Sequence, residues 1–86
     1  MYSVYVIQHS DTKDIYIGRT NDLKRRLSEH NASQQFATKR KSGVWVLIYA
    51  EAYRSKDDAV KREIRLKQHG RAKQELLRRI KSSQIH

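Results

Sequence analysis

The sequence contains no cysteine, which excludes disulfide bonds, thiolate catalysis and zinc sites built from cysteine. No apolar run approaches the length of about 18 residues that a membrane-spanning helix needs, and the N-terminus lacks the basic and apolar regions of a signal peptide. The four histidines show no metal-ligand spacing: His9, His30, His69 and His86. We therefore expect a cytoplasmic protein with no membrane partner, stabilised by packing alone.

Acidic residues are also scarce, with 9 Asp and Glu against 19 Lys and Arg, which gives a formal net charge of +10. A small, strongly basic domain most often binds nucleic acid, and an anionic membrane surface is the lesser alternative. The 86 residues suffice for one domain and show no repeat or linker. We expect a single domain over residues 1–86 that is monomeric and binds nucleic acid.

Alternating β-branched and aromatic residues predict three strands, at residues 2–8, 15–18 and 44–49. The first is apolar on both faces, which is typical of a central strand. A polar turn joins it to the second, and an antiparallel hairpin is the simplest connection. Tyr5 and Tyr16 would then share a face of the sheet, and Gly18 would permit a close turn from the second strand into a helix.

Helical periodicity predicts helices at residues 22–31 and 56–69, followed by a basic helix near the C-terminus. Thr20 or Asn21 would cap the first helix, and Gly70 would end the second. The tail at residues 82–86 would be frayed.

Two polar residues of the first helix share the arc of its leucines. At about 100° per residue, Arg26 and His30 fall on the same side as Leu23 and Leu27. The remaining polar residues of this stretch fall outside that arc: Lys24, Arg25, Ser28 and Glu29. Arg26 and His30 are therefore predicted to face the body of the protein. The alternative is an arginine stem lying along apolar surface with its head in solvent.

Glu63 occupies a similar position in the second helix, inside the apolar arc that contains Ala59 and Leu66. Burial of an unpaired carboxylate is costly, so Glu63 should have a cationic partner, either a side chain such as Arg26 or a metal ion. A purely structural ion pair is the alternative.

These side chains suit phosphodiester hydrolysis. The reaction needs a base for the attacking water, which Tyr5, Tyr16 or His30 could supply, and a cation for the charge that develops on phosphorus, which Arg26 could supply. A single carboxylate, Glu63, can hold Mg²⁺ when waters and substrate phosphate complete its coordination. Tyrosines that simply belong to a half-buried sheet face are the alternative.

Further cations are candidates for contacts with nucleic-acid phosphates: Arg19, Lys39, Arg40, Lys41 and Lys67. Three of them are adjacent in a polar connector at residues 31–43. A connector of this kind is typical of either a functional loop or a solvated one.

The chain resembles a GIY-YIG nuclease domain, most closely the small stand-alone bacterial members. Ser3-Val4-Tyr5 stands at the first signature and Tyr16-Ile17-Gly18 at the second. Arg26, His30 and Glu63 match the arginine, histidine and glutamate of that family by position. The resemblance extends over the whole chain.

The resemblance implies an α/β (α+β) fold with a three-stranded antiparallel sheet flanked by helices. It also implies an endonuclease that nicks or cuts DNA and depends on Mg²⁺ or Mn²⁺ held by Glu63. Three features depart from the family pattern: Ser3 and Val4 replace glycine and isoleucine, Arg19 replaces a lysine of the excision-repair members, and no asparagine follows Glu63. The alternative function is a non-catalytic nucleic-acid-binding module that retains the fold.

Overall fold

The structure is a computed structural model that describes residues 1–37 and 43–86, with side chains for residues 1–32 and 43–86. The elements, in chain order, are β1 (Tyr2–His9), β2 (Ile15–Thr20), α1 (Leu23–Ala37), β3 (Trp45–Tyr53), α2 (Lys56–Gln68), α3 (Gly70–Arg79) and a 3-10 turn at Lys81–Ser83. This arrangement confirms the predicted α+β fold, an antiparallel sheet flanked by helices. No helix in the described part of the chain is long and apolar enough to cross a membrane.

The sheet has the strand order β2-β1-β3, so the first strand is central, as its two apolar faces predicted. Both neighbours of β1 run antiparallel to it. The register pairs Tyr5 with Gly18 and Ile7 with Tyr16. Because alternate residues of a strand point to opposite faces, this register confirms that Tyr5 and Tyr16 share one face.

The other face of the sheet carries the hydrophobic core. Val4, Val6 and Ile17 are at most 5% exposed and pack against α2 and α3. The helices contribute side chains that are at most 2% exposed: Ala59, Leu66 and Leu76. The sheet therefore separates a core face, covered by α2 and α3, from a face that carries the tyrosines.

The first helix differs from its prediction at both ends. It continues to Ala37 through residues 32–37, which were expected to belong to a connector. Alanine and glutamine in this segment favour helix, but its polar composition is equally typical of a loop, so a connector was predicted. The N-cap is Asp22, not Thr20 or Asn21, because its carboxylate accepts the Arg25 N–H at 3.0 Å.

Later elements also depart from the predicted bounds. β3 extends to Tyr53 rather than ending at residue 49. Gly70 is the first residue of α3, and the break between α2 and α3 lies at His69, whose backbone is extended with φ −109° and ψ 94°. The tail is not frayed, because the Ile85 N–H donates to Oε1 of Gln8 at 2.8 Å.

We predict that Leu66→Ala lowers the free energy of unfolding by about 2–5 kcal/mol, because it opens a cavity in the core. Ile64→Ala, on the same helix, should cost less than about 1 kcal/mol, since Ile64 is 44% exposed. Urea denaturation followed by circular dichroism measures both values. Equal losses would contradict the assignment of the core to the Leu66 side of α2.

Candidate active site

The ring of Tyr5 lies directly over Gly18 of the neighbouring strand. Tyr5 is 1% exposed, and a Cβ atom built on Gly18 would collide with its hydroxyl group and lie 2.9 Å from Cε1 of Tyr16. The expectation that Gly18 serves a turn into a helix is wrong, since it sits within β2 and pairs with Tyr5. Glycine is needed here because any side chain would displace the two tyrosines.

His30 reaches this face from α1 and hydrogen-bonds to Tyr5, with 2.9 Å between its Nε2 and the tyrosine hydroxyl. Its ring also meets the Tyr16 ring edge-on, with 4.7 Å between centroids. The inward direction predicted for His30 is thus confirmed. One histidine contacts both tyrosines of the sheet face.

Burial controls the protonation of this pair. Burial, and then the nearby positive charge of Arg26, lowers the pKa of His30 below its ordinary value. Burial also raises the pKa of Tyr5, although hydrogen bonding to Arg26 opposes the shift. At neutral pH His30 is therefore neutral and Tyr5 protonated. In the tautomer that carries the ring proton on Nδ1, the Tyr5 hydroxyl donates to Nε2.

Arg26 lies beside the tyrosines, as the helical phase predicted. Hydrogen bonding to Tyr5, and then to Glu29, raises the pKa of Arg26 above its ordinary value. Its side chain is 39% exposed, with Nη1 3.2 Å from Oε1 of Glu29. All four residues predicted to face solvent are exposed: Lys24, Arg25, Ser28 and Glu29. The guanidinium is thus a cation at the tyrosine cluster that solvent can reach.

Glu63 has the cationic partners that its position required, but Arg26 is not one of them. Oε1 lies 3.2 Å from Nε of Arg19, and Oε2 lies 3.1 Å from Nζ of Lys67. Arg19 pairs with Val4 in the sheet and so projects from the face that α2 covers. The expectation of an Arg26 partner is wrong because Arg26 belongs to the opposite face.

Lys67 connects Glu63 to the tyrosines. Its Nζ lies 5.6 Å from the centroid of the Tyr16 ring, within the range of a cation–π contact. The structure therefore brings the predicted catalytic residues together, because each contacts a neighbour in the cluster. Lys67 joins Glu63 to the tyrosines through its contacts with Glu63 and Tyr16. Arg19 and Lys67, which are predicted to contact phosphates, both pair with Glu63 in this structure. Lys39, Arg40 and Lys41 lie outside the described residues.

A divalent ion fits this site only with waters or substrate in its coordination shell. The described residues include no group of three or more His, Cys, Asp or Glu side chains that could hold a metal. The Glu63 carboxylate is 18% exposed and supplies the hard oxygen donor that Mg²⁺ or Mn²⁺ prefers. Mg²⁺ keeps several waters in many proteins, so one carboxylate is compatible with it, whereas an all-protein calcium cage is not.

Asn31, which was not predicted as a site residue, fixes the helix that carries His30. Asn31 Oδ1 accepts the Trp45 N–H at 2.8 Å, and its Nδ2 donates to the Trp45 carbonyl at 3.3 Å. The Trp45 ring lies 6.4 Å from both the His30 and the Tyr16 rings, between centroids. The only sequence signal was that Asn31 follows His30, and nothing in the sequence linked it to Trp45.

An ion pair that no sequence pattern indicated lies next to Glu63. Arg62 Nε lies 2.6 Å from Oε1 of Glu51 on β3. Glu51 also accepts hydrogen bonds from the hydroxyl groups of Tyr49 and Tyr53, with oxygen–oxygen distances of 2.5 Å and 2.6 Å. Burial, and then the bond to Glu51, raises the pKa of Tyr53 to about 12. This network attaches α2 to β3 at the residue immediately before Glu63.

Comparisons with known proteins identify the family of this chain. The GIY-YIG catalytic domain matches residues 1–77. A UPF0213 protein of Halobacterium salinarum is 42% identical over 77 residues, which is 90% of this chain and 99% of that protein. A UPF0213 protein of Streptococcus agalactiae is 38% identical over 68 residues, 79% of this chain and 76% of its own length.

A UPF0213 protein of Vibrio campbellii is 34% identical over 76 residues, which is 88% of this chain and 72% of that protein. No solved structure matches the chain. The relatives thus include small proteins from both bacteria and archaea, and they share most of their length with this chain. The chain belongs to the GIY-YIG nuclease superfamily.

Proposed function

We propose that this protein is a metal-dependent endonuclease that hydrolyses DNA phosphodiester bonds by nicking or cutting. The observation that carries the proposal is the 2.9 Å hydrogen bond between Tyr5 and His30 beside the Arg26 guanidinium. This arrangement places a proton acceptor, His30, and a cation, Arg26, next to the same tyrosine on one face of the sheet. The net charge of +10 supports nucleic acid as the substrate.

His30 is the proton acceptor in this proposal. Its lowered pKa keeps the imidazole in its neutral, proton-accepting form near pH 7. An attacking water gives its proton to the Tyr5 oxygen while Tyr5 passes its own proton to Nε2 of His30. Tyr5 is thus not left as a phenolate, which its buried position would disfavour.

Arg26 stabilises the negative charge that develops on phosphorus. Its contact with Glu29 is an exposed ion pair of the kind worth about 0–1 kcal/mol, so an approaching phosphate can replace it. A planar guanidinium suits the geometry of a phosphate oxygen pair. A phosphate bound at Arg26 also lies beside the Tyr5 hydroxyl, where the attacking water must be. Tyr16, 36% exposed, can orient that water from the open side.

Glu63 would hold the divalent ion, together with waters and substrate oxygens. When bound, such an ion stabilises charge on the attacked phosphate and on the leaving oxygen. Arg19 keeps one oxygen of Glu63 paired and so maintains the direction of the carboxylate.

We predict that the protein converts supercoiled plasmid to nicked or linear DNA with Mg²⁺ or Mn²⁺, and that EDTA stops the reaction. Glu63→Gln should lower the rate by about 10²-fold or more, because the charged metal ligand is lost. Glu75→Gln is the matched control, since its carboxylate is 56% exposed on α3. Gel electrophoresis of time courses measures both variants. Binding without cleavage of duplex, branched and single-stranded DNA would instead favour the non-catalytic module.

We predict different effects for the adjacent arginines of α1. Arg26→Ala should lower single-turnover cleavage by about 10²-fold or more, because it removes the cation at the developing charge. Arg25→Ala should leave the chemical step nearly unchanged, since Arg25 is exposed on the solvent side of the helix. Arg26→Lys should recover little, because a point charge replaces a planar fork. Equal rates for the two folded alanine variants at saturating protein would refute the role of Arg26.

We predict that His30 titrates below the value of about 6.5 that is ordinary for histidine. Its lowered pKa means that the neutral form persists to lower pH, so the acid limb of the cleavage profile should also fall below 6.5. NMR titration of the ring, assigned with His30→Ala, measures the midpoint. Arg26→Met should raise the midpoint and Arg25→Met should not. A midpoint at or above 6.5 would contradict His30 as a neutral acceptor.

A further inference from the structure

We propose that Lys67 is an internal competitor of the metal ion: it pairs with Glu63 when no divalent ion is bound and leaves that carboxylate when one binds. The inference rests on the proposed function, because it concerns the same Glu63 site. It starts from the fact that both Glu63 oxygens have cationic partners, Oε1 in Arg19 and Oε2 in Lys67. A metal ion that coordinates Glu63 must therefore displace a contact or share an oxygen with one.

Lys67 is the partner that leaves. It lies four residues after Glu63 on the same helix, and pairs with this spacing are weak when solvent reaches them. The Lys67 side chain is 46% exposed, against 31% for Arg19. Arg19 also projects from a strand of the sheet, so its backbone is fixed from outside the helix. Glu63 therefore keeps its bond to Arg19 and releases its bond to Lys67.

The structure gives the ammonium group a second partner. Nζ of Lys67 already lies over the Tyr16 ring, 5.6 Å from its centroid, while it contacts Glu63. A cation over a tyrosine face is stabilised by the ring quadrupole. Release from Glu63 thus leaves the ammonium with a partner.

The ion pair between Lys67 and Glu63 explains how Glu63 can be largely buried in the absence of metal. Its carboxylate is 18% exposed, and without neutralising neighbours such a position would be unfavourable. Lys67 stabilises the metal-free fold, and the same charge opposes metal binding, because a unit charge at about 6 Å from a dication changes its affinity by about tenfold even in a water-like dielectric. Lys67 therefore sets the divalent-ion concentration at which the site fills.

The test is a titration with Mn²⁺ alone, in which the free ion is measured by electron paramagnetic resonance, without DNA or turnover. Lys67→Met should tighten the Mn²⁺ dissociation constant by about tenfold at low ionic strength. Lys61→Met is the matched control, because it removes the same charge from an exposed position of the same helix. It should change the constant by less than about twofold, since Lys61 lies on the other side of α2 from Glu63. Lys67→Arg retains the charge and should not tighten binding.

Thermal unfolding gives a second reading of the same variants. In EDTA, Lys67→Met should unfold at a lower temperature than the wild type, and saturating Mn²⁺ should raise its unfolding temperature by more than it raises that of the wild type. Equal Mn²⁺ constants for Lys67→Met and Lys61→Met would overturn the inference and leave a Glu63-dependent metal site intact. Lack of Mn²⁺ binding by the wild type and by Lys67→Met would overturn the inference together with the metal requirement of the proposed function.

Discussion

Burial of the central strand on both faces is the constraint on which the rest of this structure depends. Val4 and Val6 face the core beneath α2 and α3, and Tyr5 faces the other side, where its ring covers Gly18. A strand buried in this way can tolerate a hydroxyl group only if that group is hydrogen-bonded. His30 provides the bond, so the same demand that stabilises the fold places a basic nitrogen beside a phenol.

Two neighbouring residues of α2 orient that helix through ion pairs, one as the cation of its pair and the other as the anion. Arg62 reaches a carboxylate on β3, and Glu63 reaches the guanidinium of Arg19 on β2. Since β2 and β3 are the two edges of the sheet, rotation of α2 about its axis would weaken at least one of these contacts. The ion pair between Arg62 and Glu51 thus helps to hold Glu63 in place, although Glu63 takes no part in that pair.

Much of the fold and part of the site could be predicted from local patterns. The strand alternation located the central strand, and the helical phase directed Arg26 and His30 inward with Arg25 outward, because both periods follow from backbone geometry alone. The cap at Asp22 and the helical residues 32–37 were missed, since composition there suits a loop as well as a helix. Those errors moved the ends of the helix and left its inward face unchanged.

The sequence by itself determined the residue types, the charge excess and the faces on which the candidate residues lie. It also established that Glu63 needs a cationic partner, because the cost of burying a carboxylate does not depend on topology. Only the tertiary structure decided that the partners are Arg19 and Lys67. The reason is that Arg26 and Glu63 lie on helices that cover opposite faces of the sheet, and which face each helix covers is settled by packing between elements distant in sequence.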